Sequence, residues 1–325
     1  MGADWCCDDD LARLERLRTN LRCNAPQLLP AARRAAVACL LRLTRDSQQL
    51  QCLFITRAAH PGDPGSGDVA WPGGRLEAGE SELQAAVREV REEIGVDLRS
   101  ADGAWQLLGP LPDRPAVRTA GLPKLVVRAF VFLHDERLPG SEPLPPFKPV
   151  PREVSNVWWV PLKTLTHCGP LPFFDVPVAR LQTRLPMLVR ATHALPADAC
   201  KGVRNAGLTC PRALRTVRAL CATRGSRAPH AARPQRSPRV RDAAAALGLD
   251  TALFPFLLLP APDPLASSGP TRLWGVTLGL ASLLVEAADG DAAALRVPPW
   301  RLRHPAWDAL IDLAAYYAPA QWERL

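Results

Sequence analysis

Leu11, Leu14, Leu17 and Leu21 recur at intervals of three and four residues, the period of a helix with one apolar face, and predict a helix early in the chain. Two apolar runs follow, Ala35 to Leu43 and Leu50 to Thr56, joined by the polar stretch Thr44 to Gln49. They predict a pair of strands with a turn between them. From His60 to Gly74 glycine, proline and aspartate predominate, which predicts a loop. Beyond it Leu83, Val87, Val90 and Ile94 fall on one face of a helix over Ser81 to Ile94, with Ser81, Glu80 or Gly79 marking its start. Strands are predicted at Trp105 to Leu108, Lys124 to Leu133 and Val154 to Val160, and a late helix over Thr271 to Ala287. Strands and helices interleave, so the expected fold is α/β: a mixed sheet sandwiched between helices.

Composition changes this picture in one place. The chain has 325 residues and 34 prolines, about twice ordinary usage, which implies long irregular segments. Residues 196–242 are biased to alanine, arginine and proline and contain no aromatic residue, so they are expected to be a disordered basic insertion. Lys201, Arg204, Arg212, Arg215, Arg218, Arg224, Arg227, Arg233, Arg236, Arg239 and Arg241 all fall there without one acid between them. These eleven exceed the net charge of +8, so the rest of the chain is net acidic and the positive charge belongs to one segment. The expected organisation is an N-terminal extension at 1–30, a catalytic domain at 31–288 interrupted by the insertion, and a helical tail at 289–325. In that tail Trp307, Leu310, Ile311 and Ala314 have helical spacing.

The nine cysteines are odd in number, scattered, and lack zinc-site spacing, which favours a reducing, intracellular and mainly cytoplasmic setting. Mitochondrial and peroxisomal locations stay open. The apolar stretches Leu253 to Leu259 and Val276 to Ala288 are too short to cross a bilayer, so no transmembrane segment is expected. Met1-Gly2 followed by Cys6 and Cys7 resembles a lipid-anchor signal only loosely, and an ordinary terminus is the plainer reading.

The chemistry concentrates between Gly74 and Val96, GRLEAGESELQAAVREVREEIGV. At 100° per residue Arg88, Glu89, Glu92 and Glu93 lie opposite the apolar arc. Three glutamates so close repel one another by a few tenths of a kcal/mol per pair, and a hard divalent cation with oxygen ligands would compensate. Arg88 can hydrogen-bond a neighbouring carboxylate and hold it in place. An exposed acidic face is what most charge runs are, yet the spacing argues otherwise. Glycine, five residues, glutamate, seven residues, Arg-Glu, an aliphatic, any residue, Glu-Glu, any residue, glycine and an aliphatic occur in register. Chance would produce those fixed positions on the order of once in a million chains.

This stretch matches the Nudix box, and the chain is identified by it as resembling the Nudix hydrolases. The resemblance implies an α/β/α sandwich and Mg²⁺ or Mn²⁺ as cofactor. It also implies metal ligands at Glu89, Glu92 and Glu93, a carbonyl ligand at Gly74, an orienting role for Arg88 and an auxiliary carboxylate at Glu80, with Glu92 and Arg88 in the catalytic set. Glu153 is a candidate extra carboxylate, as general base or further ligand; a solvated loop acid is an equal reading.

Upstream, Leu53 to Arg57 and Gly67-Asp68-Val69-Ala70-Trp71-Pro72-Gly73-Gly74 resemble the extended motif of the coenzyme A diphosphatase branch, as do Glu153 to Leu162 and Thr271 to Thr277. Arg57, Gly67, Trp71 and Gly73 are the substrate-binding residues this branch implies, and coenzyme A or an acyl-CoA is the implied substrate. The motif departs at Asp63, where the branch has arginine, and at Gly65, where it has histidine. ADP-ribose, a nucleotide sugar or a damaged nucleotide is therefore an alternative. A third reading, of another class, is a nucleic-acid-binding protein on this scaffold with the basic insertion holding phosphates. The insertion lacks base-stacking aromatics and the acidic face is intact, which favours a small nucleotide diphosphate as partner.

Overall fold

The computed structural model describes residues 10–23, 28–31, 33–61, 66–99, 103–116, 125–141, 143–166, 169–177, 251–262, 271–290, 295–298 and 301–302. The sequence reading of 196–242, of the tail beyond 302, and of Asp63 and Gly65 lies outside them. The chain divides into two units: Met1–Arg118, Leu122–Phe173 and Pro255–Pro299 in one, Thr119–Gly121, Phe174–Phe254 and Trp300–Leu325 in the other. The first unit carries every residue discussed below.

The described elements of the chain, in order, are α1 (Asp10–Cys23), β1 (Arg33–Leu43), β2 (Leu50–Arg57), β3 (Val69–Ala70), β4 (Gly73–Arg75), α2 (Glu82–Ile94), β5 (Gln106–Pro110), β6 (Arg114–Pro115), β7 (Leu125–Asp135) and β8 (Val154–Pro161). A 3₁₀ turn over Leu162–Leu165, β9 (Phe173–Pro177), β10 (Thr251–Leu259), β11 (Thr271–Trp274) and α3 (Gly275–Asp289) follow. β1 and β7 pair in parallel over their whole lengths, while β2, β4 and β5 join antiparallel, so the central sheet is mixed.

Period-two alternation distributes the side chains of these strands between two cores. Ala36, Ala38 and Leu40 of β1, Leu53 and Ile55 of β2, and Phe130 and Phe132 of β7 pack with Ala85, Ala86, Val90 and Ile94 of α2. Ala35, Cys39, Leu41, Cys52, Phe54, Val127, Ala129 and Val131 face the other way, with Leu14, Leu17 and Leu21 of α1 and Leu278, Leu280, Leu284 and Val285 of α3. Both faces are covered, which is why the strands read as near-continuous apolar runs rather than alternating ones. An α/β/α arrangement results.

The loop expected over His60 to Gly74 contains β3 and the start of β4, and the helix expected from Thr271 begins later. Thr271–Trp274 is a strand paired with Phe256 to Leu259 of β10, and the helix starts only at Gly275. Gly275 has φ +65°, a left-handed conformation that ends the strand before the helix begins. Apolar spacing alone does not register that break.

Candidate active site

The helix α2 is fixed at both ends by local chemistry. Ser81 is its N-cap: its hydroxyl accepts from the Gln84 amide at 3.2 Å, and the Gln84 side chain accepts from the Ser81 amide at 2.8 Å, a reciprocal capping box. Gly95 closes the helix in the left-handed conformation, φ +74°, donating to the Arg91 carbonyl. The face it buries is not the one the apolar residues indicate. Leu83 and Val87 are half-buried, whereas Ala85, Ala86, Val90, Glu93 and Ile94 are buried. Two alanines allow close approach to the sheet, and the helix rolls toward them. That roll carries Glu93 into the interior, at 5% exposure, although its position lies opposite the apolar arc.

Glu93 is not left without a donor. Its Oε2 accepts from the backbone amide of Gly73 at 2.9 Å. Burial nevertheless pushes its carboxyl up to about 7, the like charges of Glu89 and Glu153 add to the rise, and the Gly73 amide and Arg57 oppose it. Glu89 lies against the neighbouring glycine: a Cβ at Gly74 would stand 2.7 Å from the Glu89 Cδ. Burial raises its carboxyl too, against the opposing pull of Arg88. Strand pairing explains the juxtaposition, because Val37, Ala36 and Ala35 of β1 oppose Gly73, Gly74 and Arg75 and hold the glycines beside the helix.

Arg88 ties the remaining carboxylates together. Its guanidinium donates to Glu80 Oε1 at 3.0 Å and Oε2 at 3.1 Å, to Glu89 at 3.0 Å, to Glu92 at 2.9 Å and to the Arg75 carbonyl at 3.1 Å. The hydrogen bond from Arg88 holds Glu80 below the ordinary carboxylate range. Among the described residues no three His, Cys, Asp or Glu side chains form a group able to hold a metal ion as they stand, and Arg88 pairs with both Glu89 and Glu92.

The other expected residues are placed less uniformly. Arg57 and Gly67 meet through backbone: the Gly67 amide donates to the Arg57 carbonyl at 3.1 Å, and the Arg57 amide to Asp68 at 3.0 Å. Gly67 has φ +75° and is exposed. Glu153 is exposed, accepts from Arg152 at 3.0 Å, and is close enough for its charge to act on both Glu89 and Glu93. Trp71 corrects the expectation of a substrate contact. It is 2% exposed and its ring packs 6.1 Å from that of Phe54, so its side chain serves the core.

Residues 32–182 match the NUDIX domain family. This stretch is a Nudix domain. Over 159 residues the chain is 33% identical to an uncharacterized protein of Schizosaccharomyces pombe, covering 43% of this chain and 45% of that one. It is likewise 33% identical over 115 residues to an m7GpppN-mRNA hydrolase of Xenopus laevis, covering 31% and 37% of the two chains. The aligned part thus spans less than half the length of either relative. Among solved structures, a C. elegans Ap4A hydrolase aligns with TM-score 0.31 and 19% identity over 40% of this chain and 81% of that one.

Divalent-metal dependence is general among Nudix domains, and the donors here suit it. Glu89, Glu92, Glu93 and the Gly74 carbonyl are all hard oxygen donors, the set that Mg²⁺ and Mn²⁺ prefer. At Glu93, burial and two neighbouring carboxylates outweigh what the Gly73 amide and Arg57 offer, and a cation would offset the remainder. The groove at Gly74 would be filled by any larger residue.

Four charged residues of the Nudix domain escaped the sequence reading. Glu82, in the first turn of α2, accepts from Arg34 of β1 and pairs with Arg128 of β7 at 2.6 Å. Both arginines also converge on Asp113, Arg34 at 2.6 Å and Arg128 at 2.7 Å. Separations of 48 and 79 residues leave no local signal to find such a ring.

Proposed function

We propose that this chain is a Nudix hydrolase that cleaves a diphosphate bond in a nucleotide derivative, with coenzyme A or an acyl-CoA as substrate and 3′,5′-ADP and (acyl-)phosphopantetheine as products. The observation that carries the chemistry is the pairing of Glu93 with the Gly73 amide and of Glu89 with Gly74 along one helix. A diphosphate resists attack because it is anionic; Glu89, Glu92, Glu93 and the Gly74 carbonyl would hold Mg²⁺ or Mn²⁺, which would supply charge neutralisation and a more acidic water there. Arg88 orients Glu89 and Glu92 and is charged at every working pH. Glu80 in turn holds Arg88 in place through two hydrogen bonds. Glu153, whose charge acts on Glu89 and Glu93, is the carboxylate we assign to take a proton from attacking water. Arg57, whose charge acts on Glu93, lies where it can meet a substrate phosphate.

The coenzyme A assignment rests on the motif around Arg57 and Gly67, supported by the contact between those two backbones. A second reading, a capped or other dinucleotide, is favoured by the similarity to the frog m7GpppN-mRNA hydrolase. One panel separates them: coenzyme A, dephospho-coenzyme A, ADP-ribose and an m7G-capped dinucleotide, each with Mg²⁺ and with Mn²⁺. The expected result is a higher kcat/KM for coenzyme A than for ADP-ribose or the cap, with 3′,5′-ADP released. Each tenfold preference needs about 1.4 kcal/mol of discriminating contacts, within the reach of one charge-assisted hydrogen bond to the 3′-phosphate. Faster cleavage of ADP-ribose or the cap would overturn the substrate and leave the chemistry.

A further inference from the structure

We infer that the ring formed by Glu82, Arg34, Asp113 and Arg128 is a positioning device for the metal-binding turn of α2, setting the rotation of the helix about its own axis. This rests on the proposed Nudix chemistry and identifies residues outside the box that serve it.

At 100° per residue, Glu89 lies about 20° to one side of Glu82 and Glu93 about 20° to the other, so all three share one line along the helix. Whatever fixes the direction of Glu82 also aims the two buried carboxylates. Arg34 and Arg128 supply that direction: Arg34 belongs to β1, which pairs with the glycine strand β4, and Arg128 to β7, the parallel neighbour of β1. Arg34 precedes Ala35, Ala36 and Val37, the partners of Arg75, Gly74 and Gly73. Arg128 stands opposite Ala36 in the parallel pairing of β1 with β7. The ring therefore references α2 to the same backbone that holds the two glycines, and the separation of Glu89 from Gly74 follows from it.

Charge alternation makes the reference stiff. Each arginine bridges both carboxylates and each carboxylate receives both arginines. The Asp113 side chain is fully buried and also accepts from the Leu29 amide at 2.8 Å, while Arg34 donates to the Leu29 carbonyl at 2.7 Å. Buried ion pairs contribute little net stability compared with apolar packing but are strongly directional, which suits a positioning role. Packing of Ala85 and Ala86 on the sheet sets the coarse roll, but the polar contacts of the box cannot direct it, because Arg88 and its partners lie within the loop and helix that must be oriented.

The test measures Mn²⁺ binding directly, by electron paramagnetic resonance of the free ion, alongside thermal stability and kcat. The variants are Glu82→Gln, Asp113→Asn and Glu82→Asp, with Leu17→Ala as a control that removes core packing on the opposite face of the sheet. The expected result is a five- to tenfold weaker Mn²⁺ dissociation constant and a lower kcat in Glu82→Gln and Asp113→Asn, at unchanged KM. Partial recovery in Glu82→Asp is expected, and Leu17→Ala should lose thermal stability while binding Mn²⁺ as the wild type does. If Glu82→Gln fails to fold, Glu82→Asp and Asp113→Asn carry the comparison. Wild-type Mn²⁺ affinity in folded ring variants would overturn the inference alone, and a wild type that binds no Mn²⁺ would overturn the Nudix chemistry with it.

Discussion

Gly74 leaves room for Glu89: a Cβ on the glycine would lie 2.7 Å from the carboxylate carbon of the glutamate. Gly74 needs no left-handed backbone, so alanine there costs nothing in φ and acts only by displacing a side chain. Gly74→Ala should therefore lower kcat by about 100-fold, the loss typical of a misplacement near 1 Å, with the melting temperature little changed. Steady-state kinetics beside a thermal melt checks this. Unchanged kcat would show that Glu89 works from another position.

Trp71 separates packing from recognition. Its side chain is buried against Phe54 in the core shared by α1 and α3, so Trp71→Ala should cost about 3–5 kcal/mol in urea unfolding. KM measured under fully folded conditions should change little. A raised KM with the same unfolding midpoint would restore Trp71 as a substrate contact.

Asp113 gives the fold an acid sensitivity with a definite sign. Burial alone would raise its carboxyl, but hydrogen bonds from Arg34, the Leu29 amide and Arg128 outweigh it and hold the folded value below the ordinary 3.8. A depressed carboxyl stabilises the fold above its unfolded value, and that contribution is lost as pH falls through the folded one. Melting curves of wild type and Asp113→Asn from pH 7 to pH 3 test it. The gap between them should be full at pH 7 and shrink below about pH 4; a gap independent of pH would contradict the assignment.

The sequence revealed what is periodic or local. Leu14, Leu17 and Leu21 announced α1, Ser81 capped α2 as its position suggested, and the box spacing placed Arg88 among Glu80, Glu89 and Glu92. What it missed depends on partners distant in the chain. The arc of Leu83 and Val87 gives no sign that Glu93 is buried, and contact through Ala85 and Ala86 turns it inward. Trp71 reads as a recognition residue because the resemblance to the coenzyme A diphosphatase motif implies one there, and only Phe54 reveals it as core. The ring around Asp113 joins four segments, and no window of sequence contains two of its members beyond Asp113 and Arg128.

Glu93 is the residue on which the account most depends. Glu93→Gln keeps the shape and can still accept from the Gly73 amide, but loses the charge that a metal ligand needs. Wild type and Glu93→Gln, both verified as folded, should be compared on coenzyme A with Mg²⁺ in water enriched in oxygen-18, with the products weighed by mass spectrometry. The account predicts Mg²⁺-dependent cleavage by the wild type that places one labelled oxygen on one of the two phosphate products, and turnover lower by several orders of magnitude in the variant. Comparable turnover by the two proteins, or cleavage indifferent to Mg²⁺, would contradict it.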